Sequence, residues 1–570
     1  MAVDRVIDQE LAHLASEVHQ LSTSVAAIER RLAVLEAALA APVPVAGATA
    51  TAAPAFSGAP AAAAGVETAA GPQPFFALAG RTLLVLGGAY LLRALTESQV
   101  LSGPVGITLG LVYAFMWLVA AARTKESASA TFHTTAACLI VLPLIWEASL
   151  RFQLMAPPVS ATALGVFAAA GLVVAAGRQS ELSAWTVAMS VSIFSVVLAV
   201  ATTGFVSHAV LLIALGIATL WLGYLHNWLS LRWPVGALAC AMVVAVTMRG
   251  AAGIEVLPAF MVQVLLFGAY LGSFAVRTLF LGRAVIPFEV VQSIGVIGVG
   301  FGGAVYLSSA TGANIQALGL LALGFGAGGY GVAFAFVERR CPARNFFFYA
   351  AVALVYMLVG APMVLGLRGA SVVFALFGVT AGVAARRVPR VTLTLHGVAY
   401  VFAAAACSGL IGMSTAALIG AATAGWPRPD ALHMVALFAA AGCALWPVPG
   451  AAGLEPAHCL PRRALFALFV WTAVGTSVAL LVANSGQADA AWLAATRTVI
   501  LVAAVLAIAR WHHLARLCDG VWLVYPLLAL LAVKLVIDDL PHGRPSTLTV
   551  GLAACGAALI LAPRLLRQRR

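Results

Sequence analysis

From residue 75 to residue 570 the chain alternates long uncharged apolar runs with short polar breaks, and arginine collects in every second break. Residues 370–390, ASVVFALFGVTAGVAARRVPR, show the unit: apolar and small residues without a charge, then Arg386, Arg387 and Arg390 together. Such a run predicts a membrane-spanning helix, because about 20 residues at 1.5 Å each cross a hydrocarbon core of about 30 Å. The pattern predicts eighteen spans, near 78–96, 104–122, 131–150, 159–176, 184–204, 206–225, 234–249, 256–276, 285–308, 314–337, 346–366, 369–385, 391–411, 431–448, 464–483, 490–509, 519–538 and 546–563. Pro143, Pro362 and Pro526 fall inside spans and predict kinks.

A different period governs residues 1–40. Ile7, Leu11, Leu14, Val18, Leu21, Val25, Ile28, Leu32, Leu35 and Leu39 alternate spacings of four and three, a heptad seam with valine or leucine at a and leucine or isoleucine at d. The segment lacks the apolar core of a signal peptide. Its narrow seam predicts a coiled coil over residues 7–39, pairing with a second copy or a partner helix, rather than an amphipathic helix lying on a membrane. Residues 41–74 are rich in Ala, Pro, Gly and Thr without periodicity. They predict a disordered tether with a reach of about 30 Å. The expected fold class is therefore all-α. A coiled coil (1–40) and a tether (41–74) precede a polytopic helical membrane array (75–570).

Charge placement orients the array. With the coiled coil in the cytoplasm, the loops after even-numbered spans and the tail hold twenty basic residues, among them Arg123, Arg178, Arg232, Arg277, Arg283, Arg340, Arg387, Arg462, Arg510 and Arg570. The opposite loops and span ends hold five: Arg151, Arg249, Arg368, Arg428 and Arg544. Cytoplasmic loops retain Lys and Arg, so both termini are expected inside. Residues 412–425 are apolar enough to span. A span there would invert every later loop, so they read as a re-entrant or interfacial segment.

Composition closes off other classes. The chain is 62% hydrophobic and 9% charged, against about 25% charged for soluble domains. The net charge of +12 sits in short loops between apolar runs. It reports topology and contact with anionic lipid rather than with nucleic acid. The eight cysteines are scattered singly and form no C-x-x-C, which excludes a disulfide scaffold.

Two stretches carry a resemblance: GRTLLVLGGAYLLRALTESQVLSGPVGITLGLVYAFMWLVAAAR (80–123) and FHTTAACLIVLPLIWEASLRFQL (132–154). They resemble an uncharacterised family of bacterial many-spanning membrane proteins with an amino-terminal coiled coil, a Pro/Ala tether and a long helical array. In that family the first span ends in a basic residue, with a Gly-Pro before the second. Arg93 and Gly103-Pro104 occupy those places, while the aromatic-rich start of the first span is degenerate here (FFALAGR). The resemblance covers the first three spans and rests on architecture beyond them. It implies a bacterial inner-membrane location and no particular activity.

Candidate chemistry is sparse. Two G-x-G-x-x-G matches, 298–303 and 324–329, lie within apolar spans, where no strand precedes them as a dinucleotide site requires. Gly298 with Gly302, and Gly324 with Gly328, instead predict close helix packing by small residues four apart. His512 and His513 are adjacent and point apart on a helix, so no shared metal is expected. His133, His208, His396 and His433 sit singly near span ends. No metal, cofactor or catalytic signature occurs, and the chain is not expected to be an enzyme.

Charges at membrane depth are the informative residues. Arg93, Glu147, Arg497, Lys534, Asp538 and Asp539 all fall in the outer half of the bilayer by this topology, with Glu289 the exception at the inner end of span 9. Two readings compete. Long basic side chains snorkel to headgroups, and Lys534 with Asp538 is a local helix pair. Alternatively the charges line an outward vestibule, with Glu147 and Asp538 balanced by Arg93, Arg497 and Lys534, that admits an anionic or zwitterionic envelope molecule. Transport or handling of an envelope or lipid-like substrate is the first functional expectation, and a scaffold or assembly role through the coiled coil is the second. A membrane enzyme using Glu147, Asp538 and Asp539 comes third.

Overall fold

The computed structural model describes residues 100–337, 343–388, 390–420, 426–445, 456–485, 489–511 and 521–567, with scattered positions between 87 and 98. The expected coiled coil, the tether, most of the first span, Arg93, His512 and His513 lie outside the described residues. Within them every regular element is helical.

The first eight helices are α1 (Gly103–Arg123), α2 (Ser127–Arg151), α3 (Pro157–Gly177), α4 (Glu181–Thr202), α5 (Phe205–His226), α6 (Arg232–Ala251), α7 (Val256–Phe280) and α8 (Pro287–Thr311). Then come α9 (Ile315–Val337), α10 (Ala343–Arg387), α11 (Val391–Cys407), α12 (Leu410–Ile419), α13 (Ala431–Leu445), α14 (Leu460–Asn484), α15 (Ala490–Trp511), α16 (Val521–His542) and α17 (Pro545–Arg567). Among the described residues, fourteen helices are long and apolar enough to cross a membrane, or fifteen if the bent pair α11 and α12 is one span.

Local chemistry sets the ends. Proline stands in the first turn of α1, α3 and α8, where its missing N–H is one that a helix leaves unbonded anyway. Thr203, Asn227 and Gly312 end α4, α5 and α8 in the left-handed conformation. Asn314 opens α9 by accepting from the backbone N–H of Gln316 at 2.9 Å. Arg178, just past α3, donates to the Ala122 carbonyl in the last turn of α1, where a cation is favoured. Pro143, Pro362 and Pro526 are all accommodated inside helices.

α10 has 45 residues, which as one continuous helix would run about 68 Å, more than twice the hydrocarbon core. It breaks at Gly366, whose φ of 69° and ψ of 170° are non-helical and which needs the freedom that only glycine has. The break folds the chain back. Gly329 of α9 lies against Ala353, the neighbouring Tyr330 hydroxyl is 3.0 Å from that of Tyr400, and Tyr400 stacks on Phe374. Ala353 and Phe374 thus lie near one level, whereas an unbroken helix would separate them by about 32 Å. Residues 343–365 and 367–387 are the two arms of a hairpin.

The array is built in chain order. Adjacent helices pack as hairpins, and α2 with α4, α3 with α5 and α5 with α7 add contacts to the next helix but one. The apolar cores succeed one another along the sequence: one runs from Ala114 to Val235, the next from Ala199 to Leu307, and the last from Phe466 to Ala562. Large apolar side chains face outward along the helices, Phe280 80% and Val173 72% exposed among them. A water-facing surface of this kind would be an aggregation liability, whereas lipid covers it without penalty. The chain is an integral membrane protein.

The packing glycines differ from those expected. A Cβ placed on Gly298, Gly302, Gly324 or Gly328 would meet nothing within 4 Å, so these four face outward. The neighbouring glycines make the contacts. Gly300 and Gly303 lie against Phe267 and Gln263, and Gly319 and Gly326 against α10. In α9 the inward seam is Gly319, Ala322 and Gly326, spaced three and four, so the G-x-G-x-x-G match is split: Gly326 and Gly329 face α10, while Gly324 and Gly328 face outward. In α8 a π-turn at Ile297–Gly302 shifts the helical register through the other match. Glycine spacing alone does not tell which face of a glycine-rich helix meets its neighbour.

This assignment predicts opposite outcomes for similar substitutions. A Cβ on Gly360 would lie 2.9 Å from the Gly319 carbonyl oxygen and 3.0 Å from the Leu323 nitrogen, both backbone. Gly360→Ala is expected to lower stability by about 1–3 kcal/mol, as overpacking does. Gly324→Ala is expected to be neutral. Thermal unfolding of the detergent-solubilised variants measures both, and equal shifts would refute the assignment.

Candidate functional site

The helix pair α11 and α12 bends by 66°. Gly409, with φ of 82°, makes the turn. α12 has ten residues, about 15 Å, half the thickness of a hydrocarbon core. It is nevertheless interior: Leu410, Ser414 and Ala417 are fully buried. The approach to α14 is so close that a Cβ on Gly475 would be 2.7 Å from the Ser414 Cα. The C-terminal carbonyls of α12 therefore end inside the protein, where they need donors.

Arg497 supplies them. It lies seven residues into α15, about 10 Å from that helix's start. Its Nε donates to the Ala417 carbonyl at 2.8 Å and its Nη2 to the Gly420 carbonyl. A guanidinium at a helix C-terminus also meets the negative end of the helix dipole. Its third nitrogen, Nη1, is 3.5 Å from Asp538 Oδ2.

Asp538 comes from the end of α16, where Leu535–Asp539 is a π-turn. In an α-helix Lys534 would face Asp538, four residues on. The i→i+5 bonding of a π-turn also brings the fifth residue over it. Lys534 Nζ reaches both carboxylates, Asp538 at 3.1 Å and Asp539 at 2.8 Å. Its three donors go to Asp539, to the Ala494 carbonyl at 2.9 Å and to the Thr498 hydroxyl at 2.8 Å, so it holds Asp538 by charge alone. Thr498 donates in turn to Asp539 Oδ2 at 2.7 Å.

Two cations and two anions thus form one neutral network across α12, α15 and α16. Side-chain exposure is graded through it: Arg497 4%, Asp539 5%, Lys534 10% and Asp538 25%. Asp538 is the accessible member. His542 stands beside it, with Nδ1 3.0 Å from the Asp538 carbonyl oxygen. Nearer the surface, Arg544 Nη1 pairs with Asp489 at 3.3 Å, at the start of α15 and the end of α16.

Glu147 is not part of this network. It begins a π-turn, Glu147–Arg151, that ends α2 and packs against α4. Of the charges expected to share one vestibule, four converge here, Glu147 lies at the end of α2 against α4, and Arg93 lies outside the described residues. Sequence reasoning missed Thr498 and the α12 carbonyls, because a hydroxyl and a peptide carry no positional signal.

A second polar centre surrounds Glu289. This carboxylate is fully buried. It accepts from the Tyr224 hydroxyl at 2.8 Å, from Arg277 Nη1 at 2.8 and 3.0 Å, and from the Ile286 backbone N–H at 2.9 Å. Arg232 rests on the Phe288 ring at 4.4 Å. Arg232 and Arg277 entered the sequence reading only as loop charges, and the structure puts both inside. The lone histidines have local partners: His396 lies 3.4 Å from the Tyr330 hydroxyl, and His208 2.9 Å from the Gly204 carbonyl oxygen. His433 and Asp430 cap α13 reciprocally. The Asp430 carboxyl, exposed ahead of that helix, is held below its ordinary pKa, first by the His433 backbone N–H. Among the described residues no group of three His, Cys, Asp or Glu is placed to hold a metal.

Compared with protein-family models, curated proteins and solved structures, the chain matches none.

The network predicts strong coupling. Arg497→Met leaves the α12 carbonyls without their donors and leaves Lys534 as the one cation facing Asp538 and Asp539, and is expected to cost about 3–5 kcal/mol, as removing one member of a buried pair does. In Arg497→Met with Asp538→Asn, the combined loss is expected to fall short of the sum of the single losses by about 0.5–3 kcal/mol. Equilibrium unfolding in detergent measures the cycle, and strict additivity would mean that the two residues do not act together.

Proposed function

We propose that this membrane protein transports or otherwise handles a charged envelope or lipid-like substrate. The network of Arg497, Lys534, Asp538 and Asp539 is its polar centre. The observation that carries the reading is a neutral set of four charges, about 10 Å inside the bundle, holding the end of a helix that stops short of spanning. Ionisable groups inside a membrane domain mark substrate or ion paths, and interrupted helices supply such sites in transporters. A zwitterionic headgroup fits by exchange. Its ammonium takes the place of a cation at Asp538, and its anionic group takes the guanidinium so released. Charge remains balanced at each step, so no bare ion is left in a low-dielectric interior.

In this reading the basic loops lie in the cytoplasm with both termini, and the network opens to the outer face. A second reading rests on the saturation of the same network, in which almost every donor has an acceptor: a static clamp within a scaffold whose coiled coil recruits a partner.

Reconstitution separates the two. Full-length protein in liposomes carrying fluorescent phosphatidylethanolamine in both leaflets is treated with external dithionite, which quenches the outer leaflet only. Transport predicts loss of the inner-leaflet signal. Asp538→Asn is expected to slow that loss at least about tenfold, equivalent to 1.4 kcal/mol in the barrier. Deletion of residues 1–74 should leave the rate unchanged. Quenching no greater than in protein-free vesicles would overturn lipid handling and favour the scaffold.

A further inference from the structure

We propose that Arg232 forms a binding site for a phosphate-type oxyanion where the ends of α5, α6, α7 and α8 converge. The site is separate from the network of Arg497 and does not depend on the transport reading. Four adjoining positions define it: Tyr224 near the end of α5, Arg232 at the start of α6, Arg277 near the end of α7 and Glu289 in the first turn of α8.

The charges do not balance. Two guanidinium groups meet one carboxylate, and that carboxylate is already taken. Both Glu289 oxygens accept from Arg277, one also from Tyr224 and the other from the Ile286 backbone. Arg277 has a further acceptor in the Ala284 carbonyl at 3.1 Å. Arg232 shares none of these bonds. It is 5% exposed, and its Nε and Nη1 are buried without a hydrogen-bond partner. Its contacts are the faces of Phe288 at 4.4 Å and Tyr224 at 5.8 Å. Ring faces stabilise a cation but accept none of its directed N–H bonds.

Position compounds the imbalance. Arg232 is the first residue of a 20-residue helix, where unbonded backbone N–H groups and the helix dipole already place positive charge. A cation there is unfavourable unless an anion joins it, and helix N-termini bind oxyanions for the same reason. The site also lies at helix ends, the level of lipid headgroups. Basic pockets between helices at that level take anionic headgroups, and guanidinium is the side chain best suited to phosphate. A lipid phosphodiester and free phosphate share this chemistry.

The test uses the full-length chain in mild detergent, with native mass spectrometry for retained lipid and thermal unfolding against added phosphatidylglycerol, cardiolipin and inorganic phosphate. Arg249→Met is the control. Arg249 lies on the same helix with its guanidinium over the Phe205 ring at 4.8 Å, at the other end of α6. The expected result is a bound or stabilising phosphate species whose apparent affinity falls at least tenfold in Arg232→Met and is unchanged in Arg249→Met. Retention of phosphatidylglycerol or cardiolipin identifies a headgroup site, and stabilisation by phosphate alone identifies a free-anion site. Titration of delipidated wild-type protein keeps the proposal testable if Arg232→Met fails to fold. No shift with any of the three, or equal losses in both variants, would overturn it.

Discussion

Lipid removes the force that usually packs helices. Between two apolar helices in hydrocarbon there is no water to expel, so contact rests on close van der Waals fit and on polar groups that have no other partner. Both show in this protein. The arms of α10 approach α9 and α11 through Gly319, Gly360, Gly378 and Gly397, each with backbone or Cβ neighbours within 3.4 Å of a notional side chain. The ionic networks sit where helices stop or turn, at the end of α12 and at the starts of α6 and α8. Those are the places where backbone groups and charges must find partners inside the protein.

Departures from α geometry put those partners in reach. The π-turn at Leu535–Asp539 lets one lysine meet two adjacent aspartates. The π-turn at Val276–Phe280 contains Arg277, which reaches Glu289 on the next helix. The 66° bend after Cys407 sends α12 into the bundle rather than across it, and Arg497 is then required at its end. Fold and candidate site are coupled here, since the residue that gives the site its charge also completes the backbone bonding of a truncated helix.

Much of the architecture was legible from hydropathy. Predicted spans such as 104–122, 159–176 and 206–225 overlie α1, α3 and α5 closely, because an uncharged apolar run in lipid has only the helix open to it. The arginine count alone sets 412–425 apart from the other apolar runs, and α12, which overlaps its start, is a ten-residue helix bent by 66° from α11. Site chemistry was legible in kind but not in grouping. Arg497, Lys534, Asp538 and Asp539 stood out as charges in apolar runs, and so did Glu147, which belongs elsewhere. Arg232 and Arg277 looked like loop charges because they border apolar runs. The packing glycines were assigned to the wrong face because both faces of α9 carry glycine.

Hydropathy along the chain is enough to show an all-α array of apolar helices and to mark the side chains too polar for lipid, since both follow from short-range composition against the thickness and dielectric of a bilayer; it does not fix the number of spans, eighteen by pattern against fourteen or fifteen among the described residues. Which helix faces are inward, which charges share a network, and where a helix stops inside the protein are set by packing in three dimensions. Those outcomes depend on the rotation of each helix about its own axis and on single-residue shifts at Gly366, Gly409 and the π-turns, and neither leaves a periodic trace in the chain.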